Sequence, residues 1–245
     1  GIYCVRTMVR VRVHPIDGSI AQSFIERLLM FDVEVSLDED DVEVVRQKHA
    51  TLLKAGIAKV TAIGDVDLVF TFFNEINTIE INGRCSLLLH DVLPSGVNEG
   101  LVNPGLDSIW DSIDSVMEVE ASHYWVAESD VVDALIRIAL HQPKLPKHID
   151  IAGRRRWSAQ QTHHEMQMLY NRTRAGSTGQ FTATLLDQPA SPSIEVVPIN
   201  ATHQSTRPSL GPIHEVLEQC DGQGWQPTSP LRTAMMVYLA GKLND

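Results

Sequence analysis

The chain alternates short apolar runs with helical stripes. It opens on Val9-Arg-Val-Arg-Val13, where every second residue is a valine. That period of two predicts a strand. Ile20, Phe24, Leu28 and Phe31 follow at spacings that line one side of a helix over 19–31. Val33-Glu-Val35-Ser-Leu37 repeats the strand signature. Val42, Val45 and Leu52-Leu53 predict a helix over 40–53, closed by Gly56. Residues 60–65 predict a third strand. Residues 67–73, Asp-Leu-Val-Phe-Thr-Phe-Phe, predict a fourth, apolar enough for the doubly buried centre of a parallel sheet. This order is that of an α/β fold.

Past Phe73 only eleven residues, 74–84, precede the next strand signal. Cys85-Ser-Leu-Leu-Leu89 is a further strand signal. Val132, Leu135, Ile136 and Ala139 predict a helix capped by Ser129 or Asp130. Residues 148–153 predict a strand, and Ser158 is the expected N-cap of the next helix. Residues 176–192, rich in Thr, Ser, Gly, Ala and Pro, read as a long loop. A last helix over 230–243 is expected to bury Leu231, Met235, Tyr238 and Leu239 and to expose Lys242.

Composition narrows the partners. A chain of 245 residues holds one large core, or one core with a smaller lobe. A net charge of −11 argues against nucleic acid or an anionic membrane surface. No apolar run is long enough to span a bilayer, and the N-terminus carries no signal-peptide pattern. Gly1 reads as an expression scar and Met8 as a start. Cys4, Cys85 and Cys220 are far apart and form no CxxC pair, so reduced thiols are expected, without a disulfide or zinc framework. A cytoplasmic location follows from these features.

The turn His14-Pro-Ile-Asp-Gly18-Ser-Ile20-Ala21, leading into Glu26-Arg-Leu-Leu29, resembles the opening of extended short-chain dehydrogenases, the epimerase/dehydratase family. That family places T-G-x-x-G-x-[IL]-G between strand and helix, and the helix runs into E-R-L-L. Later segments resemble the family in the same order. Cys85 to Gly96 is similar to the strand ending R-x-x-x-V-Y-G-P-G, and His123 to Leu135 to F-V-H-V-D-D-V-x-x-A-L. His148 to Gly153 is similar to the N-I-A-G strand. Thr202 to Pro208, with Gly224-Trp225-Gln-Pro227, resembles dTDP-4-dehydrorhamnose reductase-like members. The resemblance implies a shortened, Rossmann-like, doubly wound parallel sheet formed by 1–95 plus 118–175. A smaller C-terminal substrate-type lobe would be formed by 96–117 plus 176–245.

The same resemblance shows what has gone. Family members carry a catalytic serine or threonine and a Tyr-x-x-x-Lys helix after the fourth strand, and residues 74–84 leave no room for them. Those helices also form the usual dimer interface, so any oligomer must be built otherwise. Tyr238-Leu-Ala-Gly-Lys242 matches the string at the wrong end of the chain and is expected to be structural. In the phosphate loop, Pro15 stands at the first glycine position and lacks an N–H. Asp17 sets a carboxylate beside the helix N-terminus, where it would repel phosphate. Gly18 keeps the second glycine position, Ala21 replaces the third, and Asp38 follows at about the twenty-residue spacing of a ribose-binding acid. Gly18 and Asp38 are thus the remaining cofactor-binding candidates, and NAD or NADP binding is expected to be weak or absent.

Chemistry is expected where parallel strands end, the usual ligand position in open α/β sheets. His90 and Asp91 end one strand, and His123 and Tyr124 precede a helix where the family places substrate contacts. These four are the candidate acid–base groups. Arg207 is the candidate substrate anchor, because a guanidinium suits phosphate or carboxylate. Adjacent His163 and His164 point about 100° apart on a helix and cannot chelate one ion, so a solvated face and no metal site are expected. Arg154-Arg155-Arg156 reads as a solvated turn. Three functions remain open. The chain is a binding or regulatory pseudoenzyme for a small anionic metabolite or a partner protein, a repurposed enzyme on an anionic or sugar-nucleotide-like metabolite, or an atypical NAD(P)-dependent oxidoreductase or epimerase.

Overall fold

The computed structural model describes residues 8–95, 103–117, 121–180, 182–183 and 207–244. Strands β1 (Val9–His14), β2 (Val33–Leu37) and β3 (Lys59–Ala62) lie parallel in the order β3-β2-β1, and β4 (Leu68–Phe73) adds in parallel beside β1. Helices α1 (Ser19–Leu28), α2 (Glu39–Lys48) and α3 (Ala50–Ala55) make the connections. The single helix expected over 40–53 is thus two, broken at His49, whose backbone leaves the helical region. Helix α1 ends three residues before Phe31, which is exposed in the turn into β2.

Residues 74–84 form one further strand of the sheet. A 3-10 turn (Asn74–Ile76) leads into β5 (Thr78–Ile81), which runs antiparallel between β4 and β6 (Cys85–Leu89). Asn82 and Gly83, both at positive φ, close the hairpin, as Asn-Gly pairs do. A single returning strand is the shortest path from the C-terminal end of β4 to the point where a parallel β6 must begin. Strand β10 (His148–Ile151) then pairs in parallel with β6, completing a seven-stranded sheet of order β3-β2-β1-β4-β5-β6-β10. The chain is a Rossmann-like α/β protein, parallel except at β5.

The sheet's core is one-sided. Val11, Val13, Phe70, Phe72, Ile79, Ile81, Leu87, Leu89, Ile149 and Ile151 are buried in one cluster with Phe24 of α1, whose ring lies 4.8 Å from that of Phe70. Helix α5 (Glu128–His141) packs on α1, and α7 (Gly211–Asp221) packs on α5 and β10. The alternate strand positions, among them Arg12, His14, Val69, Thr71, Glu80, Ser86 and Leu88, are only half-buried. Residues 67–73 were expected to be buried on both faces, and they are buried on one. Among the described residues no helix shares a core with the second face, so the doubly wound expectation holds for one side.

A second apolar cluster lies beyond the strand ends. Leu93 of β7 (Val92–Leu93), Leu106 and Ile109 of α4 (Pro104–Asp111), Met166 and Leu169 of α6 (Ala159–Thr178), and Met235, Tyr238 and Leu239 of α8 (Leu231–Asn244) meet there. Strand β9 (Val126–Ala127) pairs with β7, and β8 (Ser122–His123) pairs with β11 (Trp157–Ser158). Packing thus groups α6 with α4 and α8, and α7 with the sheet, rather than following a boundary at residue 175.

Several local expectations change. Helix α5 starts at Glu128, with Ala127 at its N-cap, so neither Ser129 nor Asp130 caps it. Asp130 instead accepts the Thr228 and Ser229 amides. Ser158 caps α6 through a capping box with Gln161, as expected, and α6 continues into the predicted loop as far as Thr178. The solvated face foreseen at His163-His164-Glu165 is mostly interior. His163 donates to the Ser112 carbonyl at 2.7 Å and buried Glu165 pairs with Arg232 at 2.9 Å, because α6 is packed by α4 and α8. Lys242 is half-buried, its ammonium 5.9 Å from the Tyr238 ring centre. No described helix is long and apolar enough to cross a membrane.

Candidate functional site

The end of β1 is where a dinucleotide would be gripped. Gly18 stands before α1 with extended backbone, and a Cβ placed there would lie 2.6 Å from the amide atoms of Asn74. Asn74 donates to Asp17 at 3.2 Å, so this protein's own side chain fills the space beside the glycine. Asp38, at the end of β2, accepts from Arg12 at 2.7 Å. Asp17, Asp38, Asp40 and Asp41 crowd this corner. Desolvation first, then those neighbouring carboxylates, push the Asp41 carboxyl above its ordinary range.

The ends of β6 and β10 are built differently. Asp91, at φ 47°, accepts the Tyr124 amide at 2.6 Å and meets His123 Nδ1 at 2.9 Å. A carboxylate on Nδ1 fixes that nitrogen as the donor and leaves Nε2 with its lone pair. His123 is buried, stacks on Trp125 at 4.6 Å, and packs against Gly105 in the first turn of α4. Among the described residues Nε2 has no hydrogen-bond partner. An imidazole oriented by a carboxylate is an arrangement that general-base chemistry can use. Tyr124 joins through its backbone, its carbonyl accepting from Gly153 at 2.7 Å.

His90 belongs to another cluster. Consecutive residues at a strand end diverge, so Asp91 turns to β8 while His90 turns to β10. There His90 Nε2 and His148 Nε2 meet the same Asp150 oxygen at 2.8 and 3.2 Å. Burial opposes ionisation of Asp150, but its bonds to the two histidines prevail and hold its carboxyl below the usual range. His148 and Asp150 were not singled out from the sequence, although their i, i+2 spacing in a strand puts them on one face.

Arg207 is exposed and donates to the Arg154 carbonyl at 3.2 Å, one residue beyond the Gly153 that bonds Tyr124. The arginine run is anchored rather than loose. Arg155 lies 4.2 Å over the Trp157 ring, and Arg156 Nε donates to Ser122 Oγ at 2.8 Å. Trp157 is the cross-strand partner of His123. The structure therefore brings Asp91, His123 and Tyr124 together, places Arg207 at the same strand end, and sets His90 apart. Residues 202–206 of the resembling segment lie outside the described residues, as does Cys4.

Sequence reasoning missed Glu128. It is 1 % exposed and accepts from the hydroxyls of Ser19, Ser23 and Ser95 and from the Ser95 amide. It lines a cleft of about 370 Å³ between α1 and α5. Its role is to tie α1 and the segment after β7 to the start of α5. Cys85 and Cys220 are buried, and burial pushes both thiols up to about 11, so neither is a ready nucleophile. Among the described residues no group of three or more His, Cys, Asp and Glu side chains is arranged to hold a metal ion. No family model matches the chain, and no curated protein matches it.

Proposed function

We propose that this chain derives from the extended short-chain dehydrogenase scaffold and has given up nicotinamide chemistry. It acts as a binding or regulatory protein for a small anionic metabolite in the reducing cytoplasm. The observation that carries this reading is Asn74, which is pinned by Asp17 into the space beside Gly18 where a pyrophosphate would approach. The Arg12–Asp38 pair supports it, since the acid that would hold a ribose already holds a guanidinium. On this reading the cluster of α4, α6 and α8 is what remains of the substrate lobe, and the ligand lies between it and the ends of β6 and β10.

The test is a ligand panel followed by melting temperature and calorimetry, because a ligand of the folded state must stabilise it. NAD, NADP and their reduced forms are expected to leave the melting temperature unchanged. Micromolar affinity for any of them would overturn the reading and restore the oxidoreductase or epimerase alternative.

A second reading rests on the Asp91–His123 pair, whose free Nε2 favours a repurposed enzyme in which His123 takes a proton from a bound metabolite or from water. Turnover that is lost in His123→Gln, with the fold and ligand affinity retained, would establish it over the pure binding role.

A further inference from the structure

Arg10, Arg12, Arg46, Arg137 and Arg232 each hold a carboxylate. Arg154, Arg155, Arg156 and Arg207 are exposed, and among the described residues no carboxylate pairs with any of them. On a chain of net charge −11, four uncompensated guanidinium groups at one strand end are a marked local reversal of sign.

Their anchoring leaves donors free. Arg155 Cζ lies 4.2 Å from the Trp157 ring centre, and among the described residues its N–H groups have no hydrogen-bond partner. Arg156 spends Nε on Ser122 and keeps both Nη groups. Arg207 spends one N–H on the Arg154 carbonyl, which also fixes its own segment to the end of β10. Planar, pre-positioned guanidinium groups match phosphate oxygens in pairs. A lone carboxylate carries too little charge to balance four of them, whereas a phosphomonoester or diphosphate brings two or more negative charges.

We propose that Arg154, Arg155, Arg156 and Arg207 form the binding rim for a phosphate-bearing small molecule, whose remainder extends past Trp157 toward His123. The proposal rests on the anionic-metabolite reading above and names its ligand class. Cross-strand pairing sets Trp157 beside His123, so Arg155, over the Trp157 ring, lies about one strand's width from the Asp91–His123 pair.

Calorimetry with inorganic pyrophosphate at low ionic strength tests it. The protein should bind pyrophosphate, R155Q and R156Q should each weaken binding roughly tenfold, and K54Q, an exposed cation on α3, should leave it unchanged. If R155Q or R156Q does not fold, R154Q and R207Q are measured in its place with the same expectation. Absence of pyrophosphate binding, or equal affinity in R155Q, R156Q and K54Q, overturns the proposal. So does an oligo-glutamate peptide that binds more tightly than pyrophosphate and is lost in the same variants, since the rim would then dock an acidic protein segment. NADH in the same cell reports on the preceding reading alone: affinity for it that survives R155Q and R156Q sinks the loss of the cofactor grip without touching the pyrophosphate result.

Discussion

The two halves of one sheet end in opposite ways. At β1 and β2 the strand ends are acidic and satisfied from within, Asn74 on Asp17 and Arg12 on Asp38. At β6 and β10 they carry a part-buried acid–imidazole pair and four exposed arginines, and among the described residues neither His123 Nε2 nor those arginines meet a carboxylate. A dinucleotide protein needs the first corner open and electropositive. Here that corner is acidic and filled by Asn74, and the exposed arginines lie at the ends of the other half. A conserved-looking turn and a vacated one are thus hard to tell apart by spacing alone, because what decides is which side chain fills the glycine's free side.

The largest contrast is expected between two glycines. A Cβ on Gly153 would collide with the Trp125 carbonyl, backbone against backbone, and neither can rotate away. Gly153→Ala should cost on the order of 3 kcal/mol in urea denaturation and disturb the Tyr124 contact. A Cβ on Gly18 meets only the Asn74 side chain, and its φ of −91° suits alanine. Gly18→Ala should stay within about 1 kcal/mol of the parent. Equal costs would mean that the β1 corner is as rigidly built as the other.

Next come the two aspartates that end strands. Asp91→Asn keeps a residue type tolerant of positive φ, so it isolates the loss of the carboxylate's bonds to His123 and to the Tyr124 amide, about 1–3 kcal/mol. Asp38→Asn removes a half-exposed ion pair and should cost less than about 1 kcal/mol. If Asp38 proves the costlier, the comparison is inverted.

Much of this frame was legible beforehand. The strands of 9–37 and 59–73 and the cap at Ser158 follow from periodicity and local chemistry, which depend on near neighbours. Several misses are tertiary and a few are local. Phe70 and Phe72 alternate with half-buried Val69 and Thr71, but a run of apolar letters does not say whether a second helical layer exists. The strand Thr78–Ile81 went unread although Asn82-Gly83 announces a hairpin. His163 and Glu165 looked like a solvated face, because nothing local told that α4 and α8 would lie on both sides of α6. At the site, Asp91 was singled out from its strand-end position, and His123 and Tyr124 from the resemblance of the segment before α5. The His148–Asp150–His90 cluster and the anchoring of the arginines depend on pairings 30 to 60 residues away in sequence.

Protonation should separate the two corners by sign. Asp150 is held below its unfolded value by His90 and His148. It contributes stability above about pH 4, which is lost as the pH falls through the depressed folded value. Asp41 is the reverse: its folded value is raised, so its penalty is present near neutrality and is relieved as the pH falls. Denaturation at pH 7 and at pH 4 and below should show Asp150→Asn losing on the order of 1 kcal/mol at neutrality and less in acid. Asp41→Asn should flatten the profile in the opposite direction. The same slope in both variants would erase the electrostatic distinction between the corners.

The smallest effect is expected at Tyr238, which lies at neither corner. Among the described residues its buried hydroxyl has no hydrogen-bond partner, and burial, then Asp107 and Asp111, push the phenol up. A tyrosine serving as an acid beside a lysine would need the opposite shift. Here the Lys242 ammonium sits over the ring, 5.9 Å from its centre, instead of at the oxygen. Tyr238→Phe deletes an unsatisfied polar atom and keeps the ring's edge contact with Trp110, so its unfolding free energy should match the parent or rise by up to about 1 kcal/mol. Leu239→Ala, one residue on and 1 % exposed, should lose about 2–5 kcal/mol, which shows that the helix itself is tightly packed. A clear loss in Tyr238→Phe, with Leu239→Ala behaving as expected, would give the hydroxyl a partner and move the search for chemistry from the strand ends to the second cluster.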